Sequence, residues 1–226
     1  MSGVYPYCVV RRGCRPSPGL TGLEGRPVGS CDIGPFSVWV TGAERAPTAD
    51  LDRIEQHHQV VMAAVSLTTP VPVRFGAWTP SERVLSEHVL ERQSEIETAL
   101  RAVDGMVEFG VRVVSIEPAG TPDVPDPPAG GRAYMQELSR RQEARRRRKA
   151  EQATVLTRLR SHLGDLGHDE RVRFLEAPGL VAVAHLVERE VETRYRRSME
   201  AFAREAPEGH RVHLTGPWPP YSFAAS

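Results

Sequence analysis

The sequence predicts an α+β protein in two domains. Three observations carry that prediction. The chain has 226 residues, a length for one large or two small domains. Short strand patterns and helical patterns alternate along it. From Met106 onward their order is strand, helix, strand, strand, helix, strand, which is the ferredoxin-like βαββαβ arrangement. The expected boundaries are 1–105 for an N-terminal α+β domain and 106–226 for a C-terminal ferredoxin-like domain with a long projecting helix.

In the first half, Val4–Val10 is aromatic and β-branched and reads as a strand, with Pro6 favouring a sheet edge. Residues 11–35 hold six glycines and four prolines and read as loop, with a short strand near Val28. Phe36–Val40 reads as a second strand. Leu51, Ile54, His58, Val61 and Val65 recur at helical spacing and predict the buried stripe of a helix that starts near Thr48. Val71–Gly76 is a short strand. Thr79-Pro80-Ser81-Glu82 reads as a capping box with Thr79 as N-cap. Leu85, Val89, Ile96, Leu100 and Val103 then give the buried stripe of one helix, which Gly105 stops.

In the second half, Val107, Phe109, Val111 and Val113 alternate with other residues as the inward face of a strand. Residues 117–131 are rich in proline and glycine and read as a mobile surface loop. A long helix is expected from about Ala133 to Leu166. Its ends are apolar, with Leu156, Leu159, Leu163 and Leu166 as a seam, but Ser139–Lys149 is polar on every side. Such a segment cannot lie against a core, so it should stand in solvent or grip a partner. Arg171–Glu176, with Val172 and Phe174 inward, and Leu180–Glu188 read as strands joined at Pro178-Gly179. A helix from about Val191 to Pro207 and a strand at His210–Thr215 complete the pattern. The tail 216–226 carries Trp218, Tyr221 and Phe223 among three prolines.

Composition narrows function by exclusion. Lys+Arg and Asp+Glu both number 29, so no global charge steers the chain to nucleic acid. Lys149 is the single lysine, a bias towards arginine that fits a GC-rich genome. No apolar run is long enough for a membrane span, and the N-terminus lacks a signal-peptide pattern. Cys8, Cys14 and Cys31 have no close-paired zinc spacing and are expected as reduced thiols. No phosphate-binding glycine loop occurs, and no serine or cysteine stands in a nucleophile context. The expectation is no catalytic residue, cofactor or metal. Two features remain as partner-binding candidates: the cationic run Arg145, Arg146, Arg147, Arg148, and the tail residues Trp218, Tyr221 and Phe223. A ferredoxin-like RNA reader or enzyme is the alternative, although no aromatic stacking motif of an RNA reader is present.

Several segments carry a resemblance. They are the Val4-Tyr5-x-Tyr7 strand start, His57-x-x-Val60-Val61, Val71-Pro72-Val73-Arg74-Phe75-Gly76, Gly105-x-x-Glu108, Gly131-Arg132-Ala133-Tyr134-Met135, Leu186-Val187, and Thr215-Gly216-Pro217-Trp218-Pro219-Pro220-Tyr221-Ser222-Phe223. In type and order they resemble the GvpL/GvpF gas vesicle proteins, with Ala77-Trp78, directly after Gly76, as a departure. The resemblance implies a non-catalytic accessory protein for building gas vesicles in the cytoplasm. It implies contacts with the small hydrophobic shell protein GvpA and with other accessory Gvp proteins. With the balanced charge and the lack of a long apolar run, the expectation is no nucleic-acid or membrane partner, and a monomer when alone.

Overall fold

The computed structural model describes residues 3–116, 131–176, 178–206 and 209–224. The proline-rich loop expected to be mobile lies outside the described residues, apart from Gly131. The chain forms two compact units, one of Met1–Glu108 with Pro217–Ser226 and one of Phe109–Gly216. The tail, placed with the second half on sequence, groups with the first unit.

The first unit is built on a four-stranded sheet of β1 (Gly3–Arg11), β2 (Gly29–Ile33), β3 (Phe36–Ala43) and β4 (Val71–Pro72), in the order β2-β3-β1-β4. β1 is central, where Pro6 predicted an edge. A register shift between Pro6 and Cys8 makes this possible. β4 pairs only with Cys8 and Val9, so the missing Pro6 N–H removes no ladder bond on that side. One set of β1 residues, Tyr5, Tyr7, Cys8 and Val10, packs with Trp39 and helix α1 (Leu51–Val65). The other set, Val4 and Val9, packs with Phe36, Val38 and helices α2 (Glu82–Glu91) and α3 (Gln93–Ala102).

α1 starts at Leu51, close to the expected start near Thr48, and Asp50 caps it by accepting from Arg53 N–H at 2.8 Å. The helices correct three expectations. The buried side of α1 is His57, Val60, Val61, Ala64 and Val65, while Leu51 is 84% exposed. Of the expected stripe, Val61 and Val65 are buried, His58 is half-buried and Ile54 is exposed like Leu51, so the buried side is extended by His57, Val60 and Ala64. Thr79 does not cap α2. Its backbone is held by Val4, with Val4 N–H donating to Thr79 O at 2.9 Å and Thr79 N–H to Val4 O at 3.0 Å. Ser81 takes the cap and accepts from Val84 N–H at 3.3 Å. The single helix expected up to Gly105 is two, broken at Arg92 (φ −106°, ψ 18°).

The second unit carries a sheet in the order β6-β7-β5-β8. Its strands are β5 (Met106–Ser115), β6 (Asp169–Phe174), β7 (Gly179–Glu188) and β8 (His210–Trp218). The division between the units falls within β5 and within β8. Helix α4 (Gly131–Leu163) buries Val155, Leu156, Leu159 and Leu163, and helix α5 (Glu192–Arg204) buries Tyr195, Met199 and Phe202. Phe109, Val111, Val181 and Val183 are buried strand residues of this unit. Phe174, expected inward, is 56% exposed, because it ends the edge strand β6. β8 runs three residues past Thr215, to Trp218. Pro217 is tolerated there since β8 is an edge. A single turn, α6 (Tyr221–Ala224), follows.

Ser81→Ala should cost about 1 kcal/mol of unfolding free energy, the usual value of a lost N-cap. Thr79→Ala should cost less, since its backbone pairing survives. Urea unfolding of both variants checks the assignment of the cap.

Candidate functional site

Tyr5 and Tyr7 lie two apart on β1 and are fully buried. A buried phenol needs a partner for its hydroxyl. Tyr5 OH shares a 2.8 Å hydrogen bond with His57 Nδ1 and accepts from Gly76 N–H at 3.3 Å. Tyr7 OH accepts from Leu23 N–H at 2.8 Å. Phe75 closes the group: its ring centroid is 6.2 Å from Tyr5 and 5.8 Å from His57. Gly22 is required beside it, since a Cβ there would meet Tyr7 OH at 2.0 Å. Burial drives the Tyr5 hydroxyl pKa upward, pushes Tyr7 up to about 12, and lowers His57 to about 4. All three are uncharged at neutral pH.

The tail joins the same unit one residue along α1. His58 is half-buried, with its ring 5.1 Å from Trp218 and 5.9 Å from Tyr221. Its Nδ1 lies 3.1 Å from Tyr221 OH. Ser222 donates through its N–H and its hydroxyl to the two carboxylate oxygens of Glu108, each at 2.7 Å. Glu108 is 8% exposed, and burial raises its pKa against the opposing effect of the two Ser222 bonds. Phe223 packs against the core on the α2–α3 side of the sheet. Three of the candidate residues, Trp218, Tyr221 and Phe223, are thus half-buried structural contacts of the first unit.

The cationic candidates divide. Arg145, Arg146 and Arg147 are exposed, as is all of 139–147. Arg148 is half-buried and donates to Leu175 O at 3.0 Å and to Gly179 O. Gln152 Nε2, one turn on, donates to Leu175 O at 3.0 Å and Leu180 O at 3.1 Å. Together they clasp the connection between β6 and β7. The second unit also holds its own buried tyrosine–histidine pair, Tyr195 OH to His185 Nδ1 at 2.7 Å. Burial lowers His185 to about 4, although Glu170, 3.8 Å away, opposes the shift.

Sequence reading did not find Glu108–Ser222, Gln152 or the two tyrosine–histidine pairs. The Tyr-x-Tyr spacing was the one available signal, since period two places both rings on one strand face. Cys8 is buried, its thiol pKa pushed upward; Cys14 and Cys31 are half-buried and free. Among the described residues, no group of three His, Cys, Asp or Glu side chains is placed to hold a metal ion. No helix among them is long and apolar enough to cross a membrane.

Two predictions follow from this geometry. His57 and His185 titrate near 4 when folded and near 6.5 when unfolded. Between those values the unfolded chain binds more protons, so stability is complete above about pH 6.5 and falls as pH drops towards 4, by up to about 3 kcal/mol per histidine. Urea midpoints at pH 7 and pH 4.5 should differ accordingly; equal midpoints would contradict the neutral buried pairs. In turn, Arg148→Gln should cost about 1–2 kcal/mol, because a charged donor to two carbonyls is lost at a half-exposed site. Arg145→Gln, Arg146→Gln and Arg147→Gln should each stay within about 0.5 kcal/mol of wild type in thermal unfolding.

Comparison with known proteins places these features. The chain matches the family described as "Gas vesicle synthesis protein GvpL/GvpF" over residues 3–225. It is 31% identical to gas vesicle protein L of Streptomyces sp. (strain CB03234), covering 97% of this chain and 92% of that protein. It is 26% identical to gas vesicle protein L1 of Halobacterium salinarum, covering 99% and 90%. Its fold is similar to crystal structures of GvpF from Anabaena sp. PCC7120 (TM-score 0.84, 18% identity, 100% of this chain and 97% of that one) and from Microcystis aeruginosa (TM-score 0.77, 17% identity, 99% of each). Four of the motifs that carry the resemblance, Val-Tyr-x-Tyr, His57-x-x-Val-Val, Val-Pro-Val-Arg-Phe-Gly and the proline-aromatic tail, meet around β1 and α1. The chain belongs to the GvpL/GvpF family of gas vesicle proteins.

Proposed function

We propose that the chain is a non-catalytic assembly factor for gas vesicles, acting at the vesicle in the cytoplasm through contacts with the shell protein GvpA and other Gvp proteins. The carrying observation is the family match along residues 3–225. The chemistry of the Tyr5, Tyr7 and His57 cluster supports the reading. Tyr5, Tyr7 and His57 are buried, and the two hydroxyls are spent on His57 Nδ1 and on the Leu23 and Gly76 N–H groups, as struts are, while His57 Nε2 makes no hydrogen bond among the described residues. A turnover site would present such groups to a substrate. Contacts fall instead to exposed positions: Arg145, Arg146 and Arg147 on α4, and the outward edges of Trp218, Tyr221 and Phe223. An apolar shell subunit is aggregation-prone before assembly, so a factor that shields or delivers it needs contact area, not an active site.

The proposal includes a monomeric protein of two domains that meet near residue 105. The second is read as ferredoxin-like, supported by its βαββαβ element order and by the strand order β6-β7-β5-β8.

Deleting the gene in a vesicle-forming cell should abolish or sharply reduce gas vesicles, scored by electron microscopy. Normal vesicles would overturn the reading. Trp218→Ala should lower stability by about 1–3 kcal/mol, less than a fully buried tryptophan would cost. A melting curve and a GvpA pull-down on that variant separate loss of fold from loss of docking.

A further inference from the structure

The sheet of the second unit has two unlike faces, and register assigns each residue to one of them. His185 reaches Tyr195 of α5, so His185 and, two apart, Val183 and Val181 face the helices. Ala182 and Ala184 therefore face away. Directly paired residues share a face. Arg173 pairs with Ala182 and Arg171 with Ala184, so both arginines also face away from the helices. On β5, Phe109 lies 4.7 Å from Tyr195, which turns Gly110 and Arg112 to the opposite side. On β8, Thr215 Oγ1 would meet a Cβ on Gly110 at 2.7 Å. Thr215, and with it His213 and Arg211, share that side.

The helix-free face thus carries Arg171 and Arg173 on β6, Arg112 on β5, and Arg211 with His213 on β8. All five are exposed. Half-buried Gly110, Ala182 and Ala184 form a floor of small residues between them. Asp169 is the acid on this face of β6, and it pairs with Arg171 at 2.9 Å. Arg112, Arg173 and Arg211 have no ion-pair partner among the described residues.

We infer that this face is a docking surface for an acidic segment of a partner protein, rich in Asp and Glu. Guanidinium forks match carboxylates in two-pronged geometry. With strands about 4.8 Å apart, the arginines spread over about 15 Å, a span that suits several carboxylates along a chain instead of one small ion. The small floor lets a partner backbone approach closely. Charge complementarity alone would also admit RNA. Sheets that hold single-stranded RNA present Phe, Tyr or Trp rings for base stacking, and among the described residues assigned to this face there is none, His213 being its one aromatic ring. The inference concerns the purified chain and stands apart from the assembly reading: either can fail without the other.

The test uses the full-length protein and labelled poly-L-glutamate, followed by fluorescence anisotropy at low and high salt. Wild type should bind, more weakly as salt rises. The variant Arg112→Gln/Arg173→Gln/Arg211→Gln should bind at least about tenfold more weakly with its melting temperature unchanged, and Arg173→Glu alone should show the same direction. Arg145→Gln/Arg146→Gln/Arg147→Gln should change binding less than about twofold, since those cations lie on α4. No binding by wild type, unchanged binding in the sheet variants, or an equal loss in the α4 variant would overturn the inference. Tighter binding of oligo(U) RNA, lost in the sheet variants, would also overturn it and assign the face to nucleic acid.

Discussion

A buried phenol must place its hydroxyl, and the first unit is arranged around two that do. Tyr5 and Tyr7 supply large apolar rings to the centre of the sheet and would each carry an unsatisfied oxygen there. The chain answers from three distant segments. Leu23 in the glycine-rich connection serves Tyr7, and Gly76 and His57 serve Tyr5. The Leu23 and Gly76 bonds each tether a connection with little regular structure of its own to the strand beneath it, and the His57 bond ties helix α1 to the same strand. The glycine-rich stretch after β1 is thereby fixed in place, with Gly22 leaving room for the Tyr7 oxygen.

The second unit repeats the device once, with Tyr195 on α5 and His185 on β7. In both units a neutral imidazole takes the phenol bond, and in both the desolvated ring resists protonation. The price is sensitivity to acid, because among the described residues a buried imidazole of these pairs that gains charge has no carboxylate within ion-pair distance except Glu170 near His185. Polar chemistry in the two cores is therefore structural. Among the described residues, exposed arginines without an ion-pair partner include Arg145, Arg146 and Arg147 on α4 and Arg112, Arg173 and Arg211 on the helix-free sheet face.

Much of the element order was legible because the periodicity was strong. β5 alternates cleanly, and the leucine seam of α4 predicts its buried end. The misreadings share a cause: local signals were outbid by long-range pairing. Pro6 signals an edge, yet a bulge lets β1 sit centrally. Thr79 is a good N-cap by residue type, yet its backbone belongs to Val4. Phe174 is apolar enough for a core, yet it ends an edge strand. Of the candidate residues, Arg145, Arg146 and Arg147 were legible as exposed because their segment, 139–149, holds no apolar residue larger than Ala144. Arg148 was not, since its partners are carbonyls of a turn nearly thirty residues away, and backbone acceptors leave no mark in sequence. The arginines of the sheet face were equally hidden. Each is an ordinary outward residue of its strand, and only register brings the four together.

The central claim is that the tyrosine hydroxyls of β1 hold the connections of the first unit in place. Amide hydrogen exchange tests it most directly. Tyr7→Phe should raise exchange at Leu23 while leaving Gly76 protected, and Tyr5→Phe should do the reverse. Unchanged protection at both amides, or the same uniform loss in both variants, would contradict the claim.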